Sequence, residues 1–86
     1  MSKLYGETTV YARNMGLDLR QAYDTSGRIE YVGYAIPGTT DSKSEWQIVK
    51  YAYDGNGRLT HRRYADSTDD FTKSWDSRSG YDFTDI

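Results

Sequence analysis

The residues of this chain that could carry chemistry are few, and its single histidine, His61, is the first to consider. The chain has no cysteine, and the residues that follow His61 are Arg62 and Arg63. Two guanidinium groups repel a metal cation, and transition metals in proteins are held by several His or Cys ligands. The pattern predicts an exposed histidine on a strand, with neither a metal site nor a nucleophilic triad.

The acidic residues after position 65 are the second group that could do chemistry. Asp69, Asp70 and Asp76 lack the spacing of an EF-hand loop. A pair of glycosidase carboxylates needs a cleft, which a chain of 86 residues can hardly build. The Gly-Asn-Gly motif at 55–57 is too short to bind a dinucleotide. The sequence therefore predicts a protein that is not an enzyme, with no catalytic, cofactor-binding or metal-binding residues and no cofactor.

One stretch of the sequence occurs twice, at a spacing of thirty residues. Residues 23–29 read Tyr-Asp-Thr-Ser-Gly-Arg-Ile, and residues 53–59 read Tyr-Asp-Gly-Asn-Gly-Arg-Leu. A repeat of this kind indicates one supersecondary unit used twice. Asp and Asn favour tight turns and Gly supplies the positive φ that such turns need. Each copy therefore predicts a β-hairpin, with Gly27 and Gly57 as structural turn residues.

Alternation of apolar and polar residues on both sides of these turns predicts the strands that they connect. The predicted strands cover residues 17–23, 28–35, 46–53 and 58–65. Beyond them, capping residues precede Phe71 and Trp75, which are four residues apart, and this spacing predicts a short helix at about 68–78. Residues 81–83 are a possible fifth strand.

These elements together predict a mainly β fold, a four- to five-stranded antiparallel meander of hairpins with one short C-terminal helix. Residues 1–16 have little pattern and are predicted to be an N-terminal arm, whereas residues 17–86 are predicted to be a single small β domain. The large aromatic residues Trp46, Phe71 and Trp75 are the predicted core, in which the helix packs on the sheet.

Tyrosine dominates the aromatic composition, with nine Tyr beside two Trp and two Phe. The hydrophobic fraction of 36% is low for a globular domain. Tyrosine combines an apolar ring with a polar tip and suits surfaces that meet a partner. We therefore expect the chain to complete its burial against neighbouring proteins. The predicted interface consists of Thr8, Thr9, Val10, Tyr11, Tyr31, Tyr34 and Tyr51.

Charge is distributed unevenly along the chain. The net charge of −2 argues against general binding of nucleic acid. Residues 1–63 carry nine Lys/Arg against seven Asp/Glu, a net of +2, and residues 64–86 carry two against six, a net of −4. Such ends suit head-to-tail pairing between copies, the alternative being a solvated acidic end. The sequence shows neither a membrane-spanning apolar run nor a signal-peptide core, so we expect a soluble protein made in a cytosol.

An ordered series of aromatic, Tyr-Asp and Trp-Asp-x-Arg elements runs through residues 23–83. Its members are Tyr31-Val32-Gly33-Tyr34-Ala35, Pro37-Gly38, Trp46-Gln47-Ile48-Val49-Lys50, Tyr53-Asp54, Gly57-Arg58-Leu59, Tyr64-Ala65-Asp66, Phe71 and Trp75-Asp76-Ser77-Arg78. In this order they resemble a family of small virion structural proteins of tailed bacteriophages. The chain departs from the family pattern at Ser67, where Gly is expected. Residues 53–60 are also similar to the YD-repeat hairpins of Rhs-type shells.

The resemblance to the phage family implies a non-enzymatic virion protein that acts as an oligomeric building block through strand and aromatic-face contacts. It would be a head–tail adaptor or collar, a tail accessory protein or a capsid decoration. Its partners would be other virion proteins and copies of itself, with no membrane and no direct nucleic acid contact. It would be made in the host bacterial cytoplasm and reside in the virion.

The alternative function is a small ligand-binding module, for example one that recognises host-surface carbohydrate. Aromatic rings stack on the apolar faces of ligands. The rings available for this purpose would be Tyr31, Tyr34, Tyr51 and Trp46.

Overall fold

The structure, a computed structural model, describes residues 16–84 of the chain. The predicted arm, apart from Gly16, lies outside the described residues. The same holds for four members of the predicted interface, which are Thr8, Thr9, Val10 and Tyr11.

Four β-strands form one sheet in the order β1-β2-β3-β4. Their bounds are Asp18–Tyr23 (β1), Ile29–Ala35 (β2), Gln47–Tyr53 (β3) and Leu59–Tyr64 (β4). Each strand pairs antiparallel with the strand that follows it in the chain. The predicted mainly β meander is therefore confirmed, and each strand bound lies within one residue of its predicted position.

The two hairpin turns have the same backbone geometry. In the first turn, the Gly27 N–H donates to the Asp24 carbonyl at 3.0 Å and the Asp24 N–H donates to the Arg28 carbonyl at 2.8 Å. The second turn, at 54–58, makes the equivalent bonds at 3.0 and 2.9 Å. Gly27 has a φ of +84° and Gly57 a φ of +82°, the left-handed conformation that closes a three-residue hairpin loop. Both turns thus use glycine where an L side chain would be strained.

Val32 and Val49 are buried on one face of the sheet, and the larger core cluster lies on the other face. The buried members of this cluster are Tyr31, Ala35, Trp46, Ile48, Ala65 and Trp75. The ring centroids of Trp46 and Trp75 are 6.2 Å apart. Both rings lie against Gly33, where a Cβ would come within 2.7 Å of the Trp75 ring and 3.1 Å of the Trp46 ring. Trp75 therefore reaches the sheet because Gly33 carries no side chain.

The prediction of a short C-terminal helix at about 68–78 is wrong. The chain instead makes two short 3-10 segments, at Ala65–Ser67 and Trp75–Gly80, with irregular backbone between them. A helix would join the Lys73 N–H to the Asp69 carbonyl. In the structure, the Lys73 N–H donates to the Trp46 carbonyl at 2.9 Å, and the Asp69 carbonyl accepts from Nε2 of Gln47 at 2.8 Å. The backbone bridge to Trp46 and the side-chain bond from Gln47 therefore replace the local helical bonds.

Phe71 is not a core residue, which corrects its predicted position. Without the helix, its spacing from Trp75 does not place the two rings on one face. Phe71 is half-buried and lines a shallow cleft with Leu17 and Ile36. Aromatic cover of the core is supplied instead by Tyr81 and Phe83.

Residues 81–83 do not form the possible fifth strand, and the described sheet has four strands. This segment is held by Asp66, which follows β4. The Asp66 N–H donates to the Asp82 carbonyl at 2.6 Å, and the Asp82 N–H donates to Oδ1 of Asp66 at 3.0 Å. These two bonds fix the segment over the core, where Phe83 meets the Tyr31 ring edge-on at 5.8 Å.

Candidate functional site

The residues considered for chemistry are exposed. His61 lies on β4, with Nδ1 at 3.0 Å from Oγ1 of Thr60. The three acidic residues are Asp69, Asp70 and Asp76. Among residues 16–84, no group of three or more His, Cys, Asp or Glu side chains is placed to hold a metal ion. Over the same stretch, no helix has the length and apolar character to cross a membrane.

Each hairpin turn is fixed by one carboxylate. Oδ1 of Asp24 accepts from the N–H groups of Ser26 and Arg28 at 2.8 and 2.9 Å, and Oδ2 accepts from Nε of Arg28 at 3.0 Å. Asp54 makes the three equivalent bonds at 2.9, 3.0 and 2.9 Å. These bonds hold the pKa of both carboxyls below the ordinary value, and the largest cause is the backbone N–H of Arg28 for Asp24 and of Arg58 for Asp54.

Arg28 joins the first hairpin to the second. Its guanidinium carbon lies 4.6 Å from the centre of the Tyr53 ring. The Tyr53 hydroxyl donates to the Ile29 carbonyl at 2.6 Å. A cation over an aromatic face is worth roughly 0.5–1 kcal/mol at an exposed site. Arg28, Ile29 and Tyr53 form what we name the inter-hairpin contact, at the turn end of the β2–β3 pair.

The same residue types recur at the two outer edges of the described sheet. By the thirty-residue repeat, the three residues of the inter-hairpin contact correspond to Arg58, Leu59 and Tyr23. The side chain of Arg58 is 74% exposed, and Leu59 and Tyr23 are 51% and 57% exposed. Strand β4 begins at Leu59, directly after Arg58, and β1 ends at Tyr23. The β4 edge therefore exposes the arginine half of the inter-hairpin contact, and the β1 edge exposes the tyrosine half. Inside the sheet, the equivalent halves meet between β2 and β3.

The predicted tyrosine interface is divided between the two faces of the sheet. Tyr34 and Tyr51 are half-buried and lie on the face opposite the core, because side chains alternate along β2 and β3. Tyr31 lies on the core face and is only 9% exposed. Tyr31 is therefore a core residue, which corrects its place in the predicted interface.

The carbohydrate platform predicted as the alternative is not assembled. Stacking on a sugar needs an exposed ring face, and Trp46 is fully buried, with Nε1 donating to the Thr40 carbonyl at 2.9 Å. Tyr31 is buried as well. Of the four predicted rings, only Tyr34 and Tyr51 are partly exposed.

The structure adds a cleft that the sequence interpretation missed. It has a volume of about 340 Å³, and its lining includes Lys50, Arg63, Tyr81 and Phe83. Nζ of Lys50 lies 5.9 Å from the centre of the Phe83 ring. The pairing of β3 with β4 sets Lys50 opposite Arg63 after a register shift between Ala52 and Tyr53, and simple symmetry of the hairpin about its turn does not give this pair. The position of Phe83 beside this pair could not be predicted from the sequence, because the backbone that leads to Phe83 is irregular.

No family model, no curated protein and no solved structure matches this chain.

Proposed function

We propose that this protein is a non-enzymatic structural protein of a tailed-bacteriophage particle, where it works as an oligomeric building block. The positions that suit it are a head–tail adaptor or collar, a tail accessory site or the capsid surface. Its partners are copies of itself and other virion proteins. The sequence elements within residues 23–83 that resemble the phage family support the virion assignment.

The observation that carries the building-block role is the repeat of the inter-hairpin contact. Two hairpins join side by side through Arg28 and Tyr53 within the chain. The corresponding Arg58 and Tyr23 lie exposed at the outer edges of the sheet. A unit that presents both halves of its own internal contact has the means to bind a further unit.

An apolar cleft at the other end of the sheet is a second support. Leu17, Ile36 and Phe71 line it together with Glu45, its volume is about 460 Å³, and Ile36 is 65% exposed. Neighbouring apolar side chains left in water are typical of surfaces that another protein covers. This cleft suits a contact with a different virion protein, because it lies away from the hairpin turns.

Quantitative mass spectrometry of gradient-purified particles tests this function. We expect peptides of this chain to co-purify with the major capsid and tail proteins at a fixed copy number per particle. An abundant non-virion protein of the infected cell, measured in the same fractions, is the control for carry-over. A level of this chain no higher than that control would contradict the proposal.

Recognition of an anionic sugar is a second candidate function, favoured by the cleft beside Phe83. Lys50 and Arg63 supply two positive charges there against the one carboxylate of Asp82, and Tyr81 and Phe83 supply ring surface. A glycan array with the wild-type chain and with Lys50→Gln tests it, and Lys43→Gln, at an exposed loop position, is the matched control. Binding that is lost only in Lys50→Gln would support this function, and the absence of binding by the wild type would reject it.

A further inference from the structure

We propose that copies of this chain join head to tail, with strand β4 of one copy pairing antiparallel with strand β1 of the next. The proposal rests on the building-block function and deepens it, because it names the partner and the surface. The partner is a second copy of this chain. The surface consists of the two outer edges of the described sheet, where β1 and β4 each have one strand neighbour.

The pairing of β2 with β3 is the template for this contact. In it, Val32 lies opposite Val49 and Gly33 opposite Ile48. The pair ends in the inter-hairpin contact, with Arg28 over the Tyr53 ring and the Tyr53 hydroxyl on the Ile29 carbonyl. One hairpin thus binds the next through a defined register and a defined contact at the turn.

Shifting this template by one repeat places β4 beside β1 of another copy. Strand β2 corresponds to β4, and β3 corresponds to β1, so the antiparallel alternation of the meander continues. Arg58 then lies over the Tyr23 ring of the next copy, and that tyrosine's hydroxyl reaches the Leu59 carbonyl.

Arg58 already has the arrangement that this contact needs. Asp54 holds its Nε at 2.9 Å, just as Asp24 holds Nε of Arg28 at 3.0 Å. Little side-chain entropy is then lost when the guanidinium meets a ring, since the arginine is ordered beforehand. The exposed ring of Tyr23 supplies the face on which it stacks.

The same shift fixes the register of the new strand pair. The pair Val32–Val49 becomes Arg62 opposite Leu19, and the pair Gly33–Ile48 becomes Arg63 opposite Asp18. Opposite charges directly across an antiparallel pair stabilise it. Leu19, which is 47% exposed, is covered at the same time.

Symmetric pairing of two β4 strands is disfavoured by their charge. Arg62 and Arg63 of one copy would lie close to the same residues of the other, and like charges across strands destabilise a pair. Pairing of β4 with β1 avoids this repulsion. Such a contact joins different surfaces of the two copies and therefore builds a ring or a filament.

Disulfide trapping tests the pairing, because the chain contains no cysteine. Leu19→Cys and Arg62→Cys are prepared as separate full-length proteins, mixed and oxidised across a range of concentrations. We expect a mixed dimer that is lost when either variant is oxidised alone. Thr60→Cys mixed with Leu19→Cys is the matched control. Residue 60 lies on the same face of β4 as residue 62 but two residues further along the strand, so its Cβ is diagonal to that of residue 19 and too far from it for a disulfide.

A second measurement uses the aromatic half of the contact. Tyr23→Ala should weaken self-association about tenfold in sedimentation experiments, through loss of the stack and the hydroxyl bond. Lys43→Ala, which truncates an exposed side chain in the loop between β2 and β3, should leave self-association unchanged. Circular dichroism of both variants verifies that they are folded.

The outcomes separate this proposal from the virion function. The edge pairing is overturned if no mixed dimer forms at any concentration at which the chain is soluble, or if Arg62→Cys alone cross-links as well as the mixture. If particles still contain the chain at a fixed copy number, the virion function stands without the edge pairing. If the mixed dimer forms but purified particles do not contain the chain, the edge pairing is supported and the virion function is rejected.

Discussion

Ser67 has a backbone conformation that glycine adopts more easily than serine. Its φ is +60°, and that of the preceding Asp66 is +54°. The cost of the positive φ at Asp66 is offset by hydrogen bonds, since its N–H and its Oδ1 both bond to Asp82. Asp also tolerates this region of φ better than most residues. Ser67 is also the position at which the resemblance to phage virion proteins predicts a glycine. The positive φ supplies a physical reason for the expected glycine.

Replacement of Ser67 by glycine should therefore stabilise the fold by about 1 kcal/mol, because the clash of Cβ in the left-handed conformation is relieved. Urea unfolding followed by tryptophan fluorescence measures the change. Asp66→Gly is the matched control, and it should be destabilising, because it removes the Oδ1 acceptor of Asp82 and the ion pair with Lys73 at 3.8 Å. An unfolding midpoint for Ser67→Gly at or below that of the wild type would contradict this reasoning.

The second hairpin turn contains two glycines with different requirements. Gly57 has a φ of +82°, whereas Gly55 lies outside the left-handed region and has open space around its Cβ position. Thr25 occupies the equivalent of position 55 in the first turn. Gly57→Thr should lower the free energy of unfolding by on the order of 1–3 kcal/mol, and Gly55→Thr should change it little. Thermal unfolding of both variants by circular dichroism is the measurement, and equal losses would show that positive φ is not what the turn needs.

The hairpins were predictable because their determinants are local. Turn residues and strand alternation lie within residues 17–35 and 46–65, and they set each strand bound to within one residue. The segment after β4 was not predictable, because its conformation depends on the pairing of Lys73 with Trp46, which no local pattern encodes. The role of Gly33 was hidden for the same reason, since only the position of the Trp75 ring shows that a Cβ has no room there.

The candidate contact surface was predictable only in part. The repeat identified Arg58 and Tyr23 as equivalents of Arg28 and Tyr53, but the order of the strands in the sheet was needed to show that one such pair is internal and the other lies at the edges. The assignment of Tyr31 to the core required its burial in the structure, because alternation along β2 did not indicate which face carries the core.

Acid should destabilise the molecule as a whole through its turn carboxylates. The pKa values of Asp24 and Asp54 lie below the ordinary value of 3.8, so the unfolded chain binds protons more readily than the folded one. The stability that they contribute is present above about pH 4 and is lost as the pH falls through the folded pKa values.

Urea unfolding at a series of pH values measures this loss. The wild type should lose stability steadily as the pH falls below about 4. The double variant Asp24→Asn, Asp54→Asn should be less stable at neutral pH and should show a shallower decline in acid, because its turns have no proton to take up at these positions. If the free energy of unfolding of the double variant falls with pH as steeply as that of the wild type, the acid sensitivity arises from other groups.

The dependence of the core on Trp75 has a consequence for protein synthesis. All four strands leave the ribosome before Trp75 does, yet the rings of Trp46 and Trp75 pack together over Gly33 only once both are present. A product of premature termination within residues 66–74 would carry the strands and turns but expose the Trp46 ring, and exposed, incompletely packed chains are removed by cellular proteases. We therefore expect translation past Trp75 to decide which chains escape degradation.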